Sequence, residues 1–215
     1  MRRNRCLLGC LLLGAVLMTS ACGEPEIPEK GLTGGWTTAG CEFARVPETV
    51  TVGKHTMPAT PAALATVMTR IDEGGRAEHA NSYAGIEVDQ ELVRAVVFRV
   101  PSAAFDDFVR LAAENTCVLV RDAAHSLAYL TAWNDKIVAD LTTWQERGIR
   151  ISSVVARHDG VGVEIGTPDV TQARRAFVHE YGRKAPLVFV EQGQMIPLTD
   201  PVAGPVIPAA PKPGG

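Results

Sequence analysis

The stretch from Ser82 to Arg121 constrains the fold most, because it reads as a complete module: strand, turn, strand, helix, strand. In Tyr83-Ala84-Gly85-Ile86-Glu87-Val88-Asp89 the apolar Ala84, Ile86 and Val88 alternate with polar positions, the period-two pattern of a half-buried strand. Leu92 to Val100 is apolar on both sides, which predicts a central strand. Pro101-Ser102 ends it, and Ser102 is placed to cap a helix whose first turn carries Asp106 and Asp107, acids that suit the helix dipole. Phe105, Phe108, Leu111 and Ala112 form the expected inner stripe, the acids the expected solvated turn, and Thr116 to Val120 returns as a buried strand.

The same order recurs from Ile149 to Glu191. A strand, Ile149 to Arg157, meets the turn His158-Asp159-Gly160, whose Asp-Gly step favours a hairpin, and Val161, Val163 and Ile165 alternate behind it. Thr167-Pro168-Asp169 opens a helix with Val170, Ala173, Phe177 and Tyr181 inward, Gly182 closes it, and Leu187 to Glu191 is the last strand. Between the two modules, Ser126 begins a helix whose Leu127, Leu130, Ile137, Leu141 and Trp144 share one face, with Gly148 as its stop. The expected architecture is therefore α+β: two ββαβ units, 82–121 and 149–191, with mostly antiparallel sheets sharing one interior. A long amphipathic helix joins them in a globular body spanning 60–196.

The amino terminus reads as an address. Arg2, Arg3 and Arg5 precede the apolar run Cys6 to Met18, then come Thr19-Ser20-Ala21 and Cys22. A charged start, a short apolar centre and small residues before the cut make 1–21 a secretory signal peptide. The run is shorter than the roughly 20 residues that span a bilayer. With a cysteine directly after the small residues, it resembles a bacterial lipoprotein signal, in which Cys22 is lipidated; the departure is Thr19, where a larger aliphatic residue is usual. The resemblance implies an extracytoplasmic protein held on the cell membrane through Cys22; the alternative is free secretion. Without Arg2, Arg3 and Arg5 the chain keeps 18 basic against 24 acidic residues, a net of −6. That balance argues against nucleic acid, whose phosphates need clustered Lys and Arg.

Cys6 and Cys10 leave with the signal and Cys22 is acylated, so Cys41 and Cys117 remain. Outside the cytoplasm two such cysteines are candidates for a disulfide; alternatively Cys117, in an apolar strand, is a small buried hydrophobe. Residues 22–59 read as tether and edge segment: Gly23 to Gly40 is rich in proline and glycine, and Val46 to Val52 is a short strand that Pro47 confines to an edge. Thr60-Pro61 starts a short helix with Leu64, Val67, Met68 and Ile71 inward, stopping at Gly74-Gly75. The proline-rich segment 197–215 reads as an extended tail.

No stretch carries recognisable reaction chemistry. His55, His79, His125, His158 and His179 lack metal-site spacing, and no Cys-x-x-Cys pair occurs. Gly160 to Gly166 alternates glycine with valine in a strand pattern and lacks the Lys-Ser/Thr of a phosphate loop. No serine lies in a Gly-x-Ser-x-Gly elbow; His79 with Ser82, and His125 with Ser126, lack a predictable orienting acid. No catalytic, cofactor or metal residue is assigned.

The run Tyr83 to Asp89, His125-Ser126-Leu127 opening a helix, the hairpin around Gly160 and the closing Val188-Phe189-Val190-Glu191 resemble the pro-region of α-lytic protease and the streptogrisins, over roughly Met68 to Leu198. In that family the pro-region is a foldase and tight inhibitor whose sheet and C-terminal segment dock on the protease. The resemblance implies a pro-region-like body without a protease domain. The expectation is a non-catalytic, lipid-anchored module that binds a protein or peptide, for instance along a sheet edge; the alternative is a trans-acting inhibitor or folding helper of a secreted serine protease.

Overall fold

The computed structural model describes residues 34–43 and 45–193; the signal segment, Cys22 and the proline-rich tail lie outside them. The chain is a mixed α+β fold with mostly antiparallel sheets. The first module is β4 (Tyr83–Asp89), β5 (Arg94–Arg99), α2 (Ala103–Ala113) and β6 (Val118–Asp122). β4 and β5 form an antiparallel hairpin, and α2 carries the chain over to β6, parallel to β5. The second module repeats this with β7 (Ser153–Ala156), β8 (Val163–Thr167), α5 (Val170–Tyr181) and β9 (Leu187–Glu191). Both helices are capped as their sequences dictate: Ser102 Oγ accepts from the Phe105 amide at 3.4 Å, and Asp169 Oδ1 from the Gln172 amide at 2.9 Å.

The tether expectation fails from Gly34 onward. Gly35–Thr37 is a strand, β1, antiparallel to β6, so the first sheet has the order β1-β6-β5-β4 and the body begins well before residue 60. The glycines that read as flexible serve close approach: a Cβ at Gly34 would lie 1.9 Å from Asp122 Oδ2, and one at Gly35 2.2 Å from the Val120 carbonyl. β2 (Glu48–Val52) does not lie at the edge of a larger sheet; it pairs with β3 (His55–Ala59) as a separate hairpin with Val50, Val52 and Met57 exposed.

Three helices also differ from expectation. α1 (Ala62–Glu78) runs through Gly74-Gly75, where the absence of side chains makes room for the Phe108 and Tyr83 rings; Cβ atoms there would come within 2.3 and 2.7 Å of them. In α2 the buried stripe is Phe105, Val109, Ala112 and Ala113, at helical spacing, which leaves Leu111 80% exposed. The joining helix is two, α3 (Leu127–Ala139) and α4 (Leu141–Glu146), interrupted at Asp140, whose carboxylate accepts a 2.7 Å hydrogen bond from Tyr181 of α5.

The interior is not continuous. α1 and α2 cover one face of the first sheet around Ile71, Val97, Phe105 and Val120, whereas Leu130, Trp144, Ile165 and Phe177 belong to a separate core in the second module. An extra residue in β4, between Tyr83 and Gly85, shifts the alternation. Ala84 consequently faces away from Ile86 and Val88, beside Val96, Phe98 and Ala123. The turn at Gly160 (φ 69°) docks there: the His125 amide donates to the Gly160 carbonyl at 3.1 Å, and a Cβ on Gly160 would meet Ala123 at 2.6 Å.

Candidate functional site: the outer edge of the second sheet

α5 and β9 build the site. Ala173 and Phe177 bury one face of α5 against β8 and β9, Gly182 (φ 82°) ends the helix, and Ala185-Pro186 turns the chain into β9. The Val163 amide donates to the Pro186 carbonyl at 2.7 Å and the Gln192 amide to the Thr167 carbonyl at 3.0 Å. By alternation, Val188 and Val190 also bond toward β8, and the main-chain groups of Phe189 and Glu191 point to the other side. Among the described residues no strand pairs with that side. Beside it lies a groove of about 320 Å³ lined by Arg174, Val178, Gly182, Arg183, Leu187 and Phe189. The Arg174 guanidinium sits 5.6 Å over the Phe189 ring. None of the ion pairs among the described residues involves Arg174, Arg175, Arg183 or Lys184. The groove is therefore a cationic, partly apolar trough beside unpaired backbone, an arrangement that suits an extended acidic chain and offers no nucleophile or acid–base pair.

The matching edge in the first module is filled. β6 occupies the place of β9, and its outer side carries β1, with Trp36 opposite Val120. The Thr38 hydroxyl continues that edge, donating to the Thr116 carbonyl at 2.7 Å and accepting from the Val118 amide at 2.9 Å. Cys41 and Cys117 are joined by a disulfide, Cα–Cα 4.2 Å, which pins the strand's exit to the start of β6. Trp36 packs on the first core, with the Arg110 guanidinium 4.4 Å over its ring.

The remaining polar clusters hold the fold together. Arg99 is buried beneath the start of α2, with Nε 2.5 Å from Asp106 Oδ1 and Nη1 2.8 Å from Asp122 Oδ1. Asp106 is thus part of a buried ion cluster, not the solvated turn expected; Asp107 alone is exposed. In the Gly160 turn, the hydrogen bonds that Arg157 donates to the Asp159 carboxylate hold the guanidinium pKa above its ordinary value. Burial works to raise the Asp159 carboxyl, but bonds from Arg157 and the Val161 amide outweigh it and hold the group below the usual range. Tyr83, buried and bonded to Asp72, is pushed well up; Tyr181, by burial and its bond to Asp140, is pushed up to about 12.

Of the residues marked in the sequence, Cys22 lies outside the described residues. The histidines are dispersed. His79 lies tilted against Phe105 and Phe108, His125 stacks on Tyr129, and His158 Nε2 lies 3.0 Å from Glu87 Oε2. Ser126 Oγ accepts from the Tyr129 amide at 3.3 Å as a helix cap. Among the described residues no group of three His, Cys, Asp or Glu side chains is placed to hold a metal ion, and no helix is long and apolar enough to cross a membrane. Sequence reasoning missed Arg174 and Arg183. Their signal was local: Arg174-Arg175 within one helix and Arg183-Lys184 just after it put four cations close together in a chain whose total charge is negative. No protein-family model matches the chain, and searches of curated proteins and of solved structures return no significant match.

Proposed function

We propose that the chain is a non-catalytic binding module, displayed outside the cytoplasm on a lipid at Cys22, that takes up an extended segment of a partner along the outer edge of β9. The observation carrying this reading is the unpaired side of β9 beside the trough between α5 and that strand. Exposed edges are sites of strand addition, in which main-chain bonds supply affinity and flanking pockets supply selectivity. The test places a photo-crosslinking amino acid at Glu191, on the edge, and in a second protein at Gln145, on exposed α4. The reading expects a discrete adduct from intact cells at 191 and none at 145, with the mature amino terminus at an acylated Cys22. Equal adducts at both positions, or none at 191, would end it.

A second reading has one observation in its favour. The sheet with the unpaired edge leads from β9 directly toward the C-terminal segment, the pair of surfaces by which the resembling pro-regions dock. As a trans-acting inhibitor or folding helper, the protein would slow hydrolysis by a streptogrisin-like protease or raise its refolding yield. Unchanged rates and yields on mixing would remove this reading.

A further inference from the structure

We infer that the segment received by β9 is acidic, runs antiparallel to the strand, and places one large apolar side chain in the trough opposite Phe189. This rests on the edge reading above and adds the partner's chemistry to it.

Two independent observations carry it. The first is internal equivalence. β5 residues 95, 97 and 99 pair with β6 in the way that 163, 165 and 167 of β8 pair with β9, so Val120 corresponds to Phe189 and Asp122 to Glu191. At this position the first module receives an antiparallel strand whose Trp36, opposite Val120, packs onto the core beneath Arg110 of the module's helix. The space that Trp36 takes in one module is the trough between α5 and β9 in the other.

The second observation is charge. Arg174 and Arg183 line the trough, Arg175 and Lys184 adjoin them, and none has a carboxylate partner among the described residues. The acid nearest Arg183 in sequence, Glu180, is already engaged with Arg147 at 2.9 Å. In a chain that is acidic overall, this local excess of cations favours encounter with carboxylates and disfavours basic segments. On the register of β1, the side chain two residues after the apolar anchor faces Leu187, next to Arg183, so a carboxylate belongs there.

The test uses the mature chain and the fluorescein-labelled, capped peptide Thr-Trp-Thr-Glu-Thr-Glu, with Gln-for-Glu and Lys-for-Glu counterparts, followed by anisotropy. The glutamate peptide should bind at least tenfold more tightly than the lysine peptide and weaken as salt rises. The double substitution R174E/R183E, at exposed positions, should erase or reverse that preference. E191P removes an outward amide without touching the ladder to β8. Because it also removes a negative charge near the trough, weaker glutamate-peptide binding would report lost strand pairing, not lost attraction. If all peptides bind alike and E191P weakens all of them, the acidic preference is overturned while the edge reading stands. If no peptide binds at millimolar concentration, or a second copy of this chain fills the edge and peptide does not displace it, both fall.

Discussion

The two modules wind identically yet finish differently. In the first, the last strand of the crossover is flanked on its far side by β1 and fastened by the Cys41–Cys117 disulfide; in the second, the far side of the matching strand has no neighbour among the described residues. The interiors differ in the same sense. Arg99, paired with Asp106 and Asp122, corresponds to Thr167, whose hydroxyl donates to the Arg150 carbonyl at 2.7 Å. One module thus spends a buried ion cluster and a covalent link on closing itself with its own chain. The other is a simpler sheet whose last strand is still able to pair. The difference teaches that strand addition is native to this topology, and that in the second module the same position stands open among the described residues.

Breaking the closure should have the largest effect. A C41S/C117S protein loses a link spanning 76 residues of sequence. The chain-entropy model expects a stability loss of roughly 4 kcal/mol, measured by urea unfolding. It also expects faster amide exchange along β6, making the first edge behave like the second. Next, R99M strands two partly buried carboxylates and should cost about 3 kcal/mol, whereas T167V at the matching site should cost about 1 kcal/mol. Equal losses would mean that the modules are not built differently inside.

Acid titration sharpens the contrast at the turn joining the modules. Asp159 has a folded pKa below its ordinary 3.8, so its contribution is present above that value and is lost as pH falls through the lowered one. D159N should flatten the acid limb of a stability–pH curve below about pH 4. His125 is lowered from 6.5 by burial, so stability should also decline as pH falls below 6.5 toward the lowered value, and H125Q should remove that part. The smallest effect is expected from E191P, within about 0.5 kcal/mol of the parent because its amide faces away from β8. V120P, at an amide bonded across to β1, should cost about 3 kcal/mol by the same urea measurement.

Both modules were legible in the sequence because their signals are local: alternation in Ile86 and Val88, the Asp-Gly turn, and the caps at Ser102, Ser126 and Asp169. What escaped depends on distant partners. Gly34-Gly35 and Gly74-Gly75 look like punctuation until Asp122, Val120, Phe108 and Tyr83 are seen pressing on them. Asp140 interrupts a helix, and its carboxylate accepts a hydrogen bond from Tyr181, 41 residues away. Arg99 had a faint signal, a lone cation with the parity of Ala95 and Val97 in an apolar strand, but its two acids come from a helix and another strand. The trough was hidden for a different reason, since a whole-chain charge count averages away four cations carried on α5 and just after it.

The most direct measurement is residue-resolved hydrogen exchange on the chain from residue 23 onward, without a partner. The amides of Val120 and Asp122 should be protected by β1, while those of Phe189 and Glu191 exchange near the rate of an unstructured chain. Protection of Phe189 and Glu191 equal to that of their counterparts in the first module would show that the second edge is already occupied, and the account would fail.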